Sequence, residues 1–177
     1  MKIQIVFNVL LISLAGQVGA VWATPIDVGA GANSAGVIVE WSDGFIADFI
    51  VSFDTETISG LDALDIIKTA SALPPISNPL TTVRQVFDFG VLIDGITFDG
   101  HSDIGFGGGE NWWHQWVKND GQEWGFGPGV SDRILSGGDM DAYIYGRAGA
   151  PIPEPVTLTF LALGAAALRR RSIRKVF

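Results

Sequence analysis

The 177-residue chain contains no cysteine, which excludes a disulfide scaffold and a thiol nucleophile. This absence is compatible with export, because a domain of this size can rest on a hydrophobic core. Cations are also scarce in the middle of the chain: residues 24–150 carry 18 acidic and five basic side chains, a formal charge of −13. A domain this acidic repels phosphates, so binding to nucleic acid is excluded.

The apolar run near the C-terminus is short for a permanent membrane span. Val156 to Leu168 is 13 residues, about 20 Å as a helix, whereas a bilayer core is about 30 Å thick. A basic cluster that begins Arg169, Arg170, Arg171 follows it and matches a cytoplasmic stop. The alternative is an ordinary core helix with a basic tip. It is disfavoured because the run has no polar face beyond two threonines.

The segment 151–177 resembles the PEP-CTERM protein-sorting signal of Gram-negative bacteria. It has the same three blocks in the same order: Pro153-Glu154-Pro155, a short hydrophobic helix and an arginine cluster. The resemblance implies that a membrane-embedded exosortase recognises Pro-Glu-Pro, cleaves there, and releases or re-attaches the protein at the cell surface. These three residues would then be substrate for another enzyme, and contact with the inner membrane would be transient.

The N-terminus, residues 1–23, has the pattern of a secretory signal peptide. Lys2 is the positive region and Ile3 to Leu14 the apolar region, with cleavage after Ala20 or, preferably, Ala23. A permanent N-terminal anchor is the alternative. Between the two terminal signals, residues 24–150 are long enough for one exported globular domain.

The pattern within 24–150 predicts a small, β-dominated α+β domain with one clear helix. Ser42-Asp43-Gly44 separates two β-rich runs and predicts a hairpin, and Asp94-Gly95 predicts a second. Ser59 followed by Asp62 predicts a capping box at the start of the helix. The glycine-rich stretch 29–36 is expected to be a flexible leader.

The stretch 101–129 holds four of the six tryptophans and is therefore the best candidate for a binding face. On a strand, Trp112, His114 and Trp116 share one face and Trp113 the other. Trp112, Trp116 and Trp124 are candidates for a flat aromatic platform that stacks on sugar rings. The alternative is that the rings fill the core of a small domain, which is favoured for Trp113 and Trp124.

Metal and catalytic chemistry are weakly supported, and we predict no enzymatic activity, no metal and no cofactor. Asp99 and Glu110 have the spacing of the first and last calcium-loop ligands, but Ile104 stands where that loop requires glycine. Asp103 and the two histidines could complete an oxygen–nitrogen site. The sequence around Ser102 lacks the final glycine of a Gly-x-Ser-x-Gly nucleophile elbow.

Four segments of the domain are similar to transcobalamin-like C-terminal domains: ISGLDALDIIKTA, GVLIDGITFDG, NWWHQWVKNDGQEW and RILSGGDMDAYIYG. This resemblance implies a β-grasp-like fold and a cobalamin-like or other small ligand.

The leading hypothesis is an exported cell-surface or extracellular-matrix protein with a non-enzymatic structural or adhesive role, in a bacterium that produces biofilm or exopolysaccharide. The alternative is a ligand-binding module for a polysaccharide or small molecule. Exposed tryptophans with converging polar groups would favour the alternative, and buried rings would favour the structural role.

Overall fold

The computed structural model describes residues 24–73 and 78–151, which form eleven strands and one helix. This part of the chain is a β-dominated α+β domain, as predicted. The predicted signal peptide, residues 74–77 and the predicted sorting segment beyond Pro151 lie outside the described residues. In chain order the elements are β1 (Ile26–Gly29), β2 (Asn33–Glu40), β3 (Ile46–Phe53), β4 (Ile58–Ser59), α1 (Gly60–Ser71), β5 (Thr81–Phe87), β6 (Gly90–Phe98), β7 (His101–Ile104), β8 (Trp113–Lys118), β9 (Gly125–Phe126), β10 (Ile134–Leu135) and β11 (Met140–Tyr145).

The largest sheet has six strands in the order β1-β3-β2-β11-β8-β9. The pairs β1–β3 and β2–β11 are parallel, and the others are antiparallel. A three-stranded sheet, β5-β6-β7, and a two-stranded pair, β4 and β10, complete the described part of the fold. None of the described helices is long and apolar enough to cross a membrane.

The hairpin of β2 and β3 forms where the sequence predicts it. Gly44 adopts a positive φ of 85° in the connection, and the backbone N–H of Gly44 donates to Trp41 O at 3.0 Å. On β3, Phe49, Val51 and Phe53 alternate with more exposed residues and are at most 4% exposed. These three residues therefore form an apolar stripe that belongs to the core.

Helix α1 begins with the predicted capping box. The Ser59 hydroxyl accepts from the backbone N–H of Asp62 at 3.0 Å, and the Asp62 carboxylate accepts from the backbone N–H of Ser59 at 3.1 Å. Leu64 and Ile67 are fully buried in the hydrophobic core that α1 shares with the six-stranded sheet. The helix therefore presents its apolar face to the core and its carboxylates to solvent.

Two predictions about turns and leaders are wrong. Asp94-Gly95 is no hairpin turn but lies inside the continuous strand β6, where the register against β5 shifts and leaves Asp94 as an extra residue. The turn comes at Asp99-Gly100, whose φ values of 48° and 90° fit a tight β-hairpin. The Asp-Gly pair occurs twice within seven residues of sequence, and local pattern alone does not choose between the two.

The glycine-rich stretch 29–36 is not a flexible leader, because it contains the end of β1 and the start of β2. Gly29 ends a strand that pairs in parallel with β3. A Cβ at Gly29 would lie 2.4 Å from Ser52 O, and one at Gly31 would lie 2.0 Å from the Phe53 carbonyl carbon. These glycines therefore permit close backbone contact with β3.

The main core lies between one face of the large sheet, α1 and the three-stranded sheet. It includes Trp41, Phe49, Phe98, Trp113 and Tyr143. Trp41 is 2% exposed, and its indole N–H donates to Ile96 O at 2.9 Å. This bond ties the large sheet to the three-stranded sheet. A smaller cluster, Ile38, Ile46, Ala142 and Ile144, lies on the opposite face of the large sheet.

Candidate functional site

Trp113, on β8, is a core residue, as the alternation of the sequence predicts. It is 5% exposed and contacts Trp41 edge-on, with a ring-centroid distance of 6.0 Å. Its indole N–H donates to Asp103 O at 3.1 Å, so its one polar atom is satisfied. Tyr145 lies on its other side at 5.4 Å.

Trp116 and Trp124 are half-buried because they cover the smaller cluster on the second face of the large sheet. The exposed ring of Phe126 stacks on Trp116 with a centroid distance of 4.2 Å. Each of these two rings therefore packs one side on apolar residues, and the aromatic platform of Trp112, Trp116 and Trp124 stays a prediction. Strand alternation predicts which face of the sheet carries a ring. It does not show that this face also carries the smaller apolar cluster, against which the rings pack.

Trp112 precedes β8 and is half-buried. Its ring centroid lies 3.6 Å from that of His114 and 6.2 Å from that of Phe106, which is 59% exposed. His114 is 2% exposed, and its Nε2 lies 3.2 Å from Glu110 O. Trp112 thus belongs to a small surface aromatic group and to neither buried cluster.

A cavity of about 160 Å³ lies between β6 and β8. Its walls are mainly apolar and include Val91, Ile93, Trp112, Trp113 and Val130. Two polar side chains line it, Gln115 and Tyr143. This is the place in the described domain where a Trp-rich wall and polar side chains converge.

Backbone groups fix the orientation of Gln115. Its side-chain oxygen accepts from the backbone N–H of Gly129 at 3.1 Å. Its amide nitrogen donates towards Asp141 Oδ2 at 3.3 Å and towards the Tyr143 hydroxyl at 3.5 Å. A Cβ at Gly127 would lie 2.5 Å from Gln115 Oε1, so the glycine allows the chain to pass directly over the amide.

A buried ion pair lies behind this cavity. Arg133 Nε donates to Asp141 Oδ1 at 2.7 Å, and Arg133 Nη1 donates to Asn119 Oδ1 at 2.7 Å. Burial raises the pKa of Asp141, and the contact with Arg133 opposes that rise. Burial also raises the pKa of Tyr143 well above its usual 10.0, so the hydroxyl keeps its proton at physiological pH.

The candidate metal ligands are not brought together. His101 Nδ1 donates to Asp43 Oδ2 at 2.6 Å, whereas Asp103 accepts from the backbone N–H and hydroxyl of Ser42, both at 2.7 Å. Asp99 lies in the β6–β7 turn. Among residues 24–73 and 78–151, no group of three or more His, Asp or Glu side chains is placed to hold a metal ion.

The hairpin of β5 and β6 ends in an apolar tip, which we define as Val86, Phe87 and Phe89. Val86 is 79% exposed and Phe89 is 81% exposed. The rings of Phe87 and Phe89 stack with a centroid distance of 5.1 Å and an interplanar angle of 7°.

The remaining predicted site residues, Pro153, Glu154, Pro155, Arg169, Arg170 and Arg171, lie outside the described residues. Comparisons with protein families, with characterised proteins and with solved structures found no match for this chain.

Proposed function

We propose that this protein is an exported cell-surface or extracellular-matrix protein, processed by an exosortase, with a non-enzymatic structural or adhesive role. The export and processing parts of this proposal rest on the terminal sequence signals. The adhesive part rests on one structural observation, the apolar tip of the β5–β6 hairpin.

The apolar tip supports adhesion because it exposes large side chains on a domain that is otherwise strongly acidic. Two stacked phenylalanines and a valine stand next to a single carboxylate, Asp88. Exposed apolar groups of this kind mark contact sites when polar residues surround them. The tip also lies at the end of β5, an edge strand of the three-stranded sheet, and edge strands can pair with other chains.

The test of the adhesive role is the double variant Phe87→Ser/Phe89→Ser, expressed in the producing bacterium. We expect it to move from the matrix-bound fraction to the soluble extracellular fraction while its melting temperature stays unchanged. Phe106→Ser is the control, because Phe106 is 59% exposed, between Phe87 at 40% and Phe89 at 81%, and lies outside the tip. Equal retention of the double variant and the control in the matrix would contradict an adhesive tip.

The second candidate function is a ligand-binding module, and the cavity between β6 and β8 favours it. Apolar walls with a few convergent polar groups are the usual form of a small-molecule site. The volume of about 160 Å³ is below the roughly 300–1,000 Å³ typical of drug-sized ligands, so this cavity does not fit a cobalamin-like macrocycle. A single ring from a polysaccharide or a small molecule remains compatible with its size.

A further inference from the structure

We infer that the cavity between β6 and β8 binds one uncharged six-membered ring that carries an oxygen acceptor, either a sugar residue of a glycan or a phenolic ring. This inference rests on the second candidate function and names its ligand class. It does not depend on the apolar tip.

The size of the cavity sets the size of the ligand. An apolar cavity of about 150 Å³ in another protein is large enough for benzene. The cavity here is about 160 Å³, so it holds one ring and not two. Trp112 and Trp113 line it, and the flat face of an indole is suited to contact with a ring.

The residues that line the cavity disfavour a charged ligand. None of the described residues that line the cavity carries an ionisable acid or base that is charged at neutral pH. The nearest carboxylate, Asp141, is fully buried and already bonded to Arg133 and Gln115. An anion would meet that carboxylate without a free cation to balance it, and a cation would lose its hydration without a new partner.

The Tyr143 hydroxyl supplies the specific contact. Tyr143 is 2% exposed, and its oxygen accepts a long bond of 3.5 Å from Gln115. Among the described residues, the hydroxyl proton itself has no acceptor. A buried donor without an acceptor carries a free-energy cost that a ligand oxygen would relieve.

Gln115 gives this contact a fixed geometry. The Gly129 N–H holds its oxygen, so its amide nitrogen is directed to the same side of the cavity as the Tyr143 hydroxyl. A ligand oxygen near the hydroxyl can therefore accept from Tyr143 and lie close to the amide. Such a site is organised before the ligand arrives, which lowers the entropic cost of binding.

The experiment titrates the purified full chain with ring probes and follows tryptophan fluorescence, since Trp112 and Trp113 line the cavity. The probes are phenol, methyl glycosides of neutral hexoses, and toluene as a ring without oxygen. We expect saturable binding of phenol, of a methyl glycoside, or of both. Binding of the glycoside identifies a sugar site, and binding of phenol alone identifies an aryl site.

Two variants test the assigned donor. Tyr143→Phe keeps the ring and removes the hydroxyl. We expect this variant to bind the oxygen-bearing probe about three- to tenfold more weakly and to bind toluene with unchanged affinity. Gly127→Ala changes a residue outside the buried core, so this variant should remain folded even if Tyr143→Phe does not. The added methyl group displaces the Gln115 side chain, and the affinity for the oxygen-bearing probe should therefore also fall.

The inference is overturned if neither oxygen-bearing ring binds saturably, or if both variants bind it as tightly as the natural chain. Either result leaves the adhesive role untouched, because that role is tested on the β5–β6 tip.

Discussion

At the scale of single residues, the neighbouring tryptophans Trp112 and Trp113 lie in different environments. Trp113 satisfies its indole N–H inside the main core, while Trp112 contacts the exposed ring of Phe106 and the buried imidazole of His114 and lines the cavity between β6 and β8. Alternation along β8 correctly predicts that Trp113 is buried. It could not predict the partial burial of Trp116, because the cover required by Ile38 and Ile144 depends on strands distant in sequence.

Trp113→Ala should therefore lower the free energy of unfolding by about 3–5 kcal/mol, the usual cost of a large-to-small change in a core. Trp112→Ala is the matched control at the adjacent position and should cost less than about half as much. Urea unfolding of the purified protein measures both. Equal losses of stability would show that the two rings are packed alike and would contradict the assignment.

Asp43 and His101 form a hydrogen-bonded pair in which ionisation of the Asp43 carboxyl group contributes to the stability of the fold. The His101 hydrogen bond, followed by the backbone N–H of Phe45, lowers the pKa of Asp43 below its usual 3.8. A carboxyl with a lowered pKa stabilises the folded state above its unfolded pKa, and this contribution disappears as pH falls through the folded value. The pair joins the β2–β3 turn to β7, so the effect should appear in global stability.

Asp43→Asn should therefore destabilise the protein at pH 5 and much less at pH 2. The expected effect is small, since the pair is partly exposed and solvent weakens it. Melting temperatures at the two pH values provide the measurement, and Asp54→Asn, at another exposed carboxylate, is the control. If Asp43→Asn lowers the melting temperature by as much at pH 2 as at pH 5, the loss of stability does not come from the ionised Asp43 carboxylate.

At the scale of elements, helix α1 and the β2–β3 hairpin could be predicted because their signals are local. The capping box and the Ser-Asp-Gly turn each need only neighbouring residues. The β6–β7 hairpin could not be located correctly, because Asp94-Gly95 and Asp99-Gly100 carry the same local signal. Pairing with β5 continues past Asp94 through a bulge, and that long-range pairing decides the outcome.

The cap of α1 gives an element-scale prediction. Ser59→Ala removes the acceptor for the backbone N–H of Asp62 and should lower the free energy of unfolding by about 1 kcal/mol. Urea unfolding would show this as a lower midpoint at an unchanged slope. Ser52→Ala, a half-buried serine on β3, serves as the control. An unchanged midpoint for Ser59→Ala would mean that the cap contributes no net stability.

The cavity between β6 and β8 could not be predicted from sequence. Its residues come from four separate segments of the chain, and Tyr143 joins it only because β11 pairs with β8. The sequence indicated the tryptophans as candidate binding residues, but the position of Trp112 beside Gln115 and Tyr143 depends on how β6 packs across the large sheet.

At the scale of the whole molecule, charge is distributed by segment. Residues 24–150 carry a formal charge of −13, whereas the complete chain carries −8, because most of its cations lie at the two ends. This arrangement agrees with the proposed sequence of events, in which an acidic domain leaves the cell and a basic tail marks the cytoplasmic side. The proposed adhesive tip then acts on a domain that repels its own copies at long range.

The most direct test of the proposed export and processing is the intact mass of the protein extracted from the cell surface of the producing bacterium. Our account predicts a mass that lacks the signal peptide and everything after the Pro153-Glu154-Pro155 segment, so that Val156–Phe177 is absent. If the bulk of the surface protein retains Arg169–Phe177, the sorting proposal is contradicted.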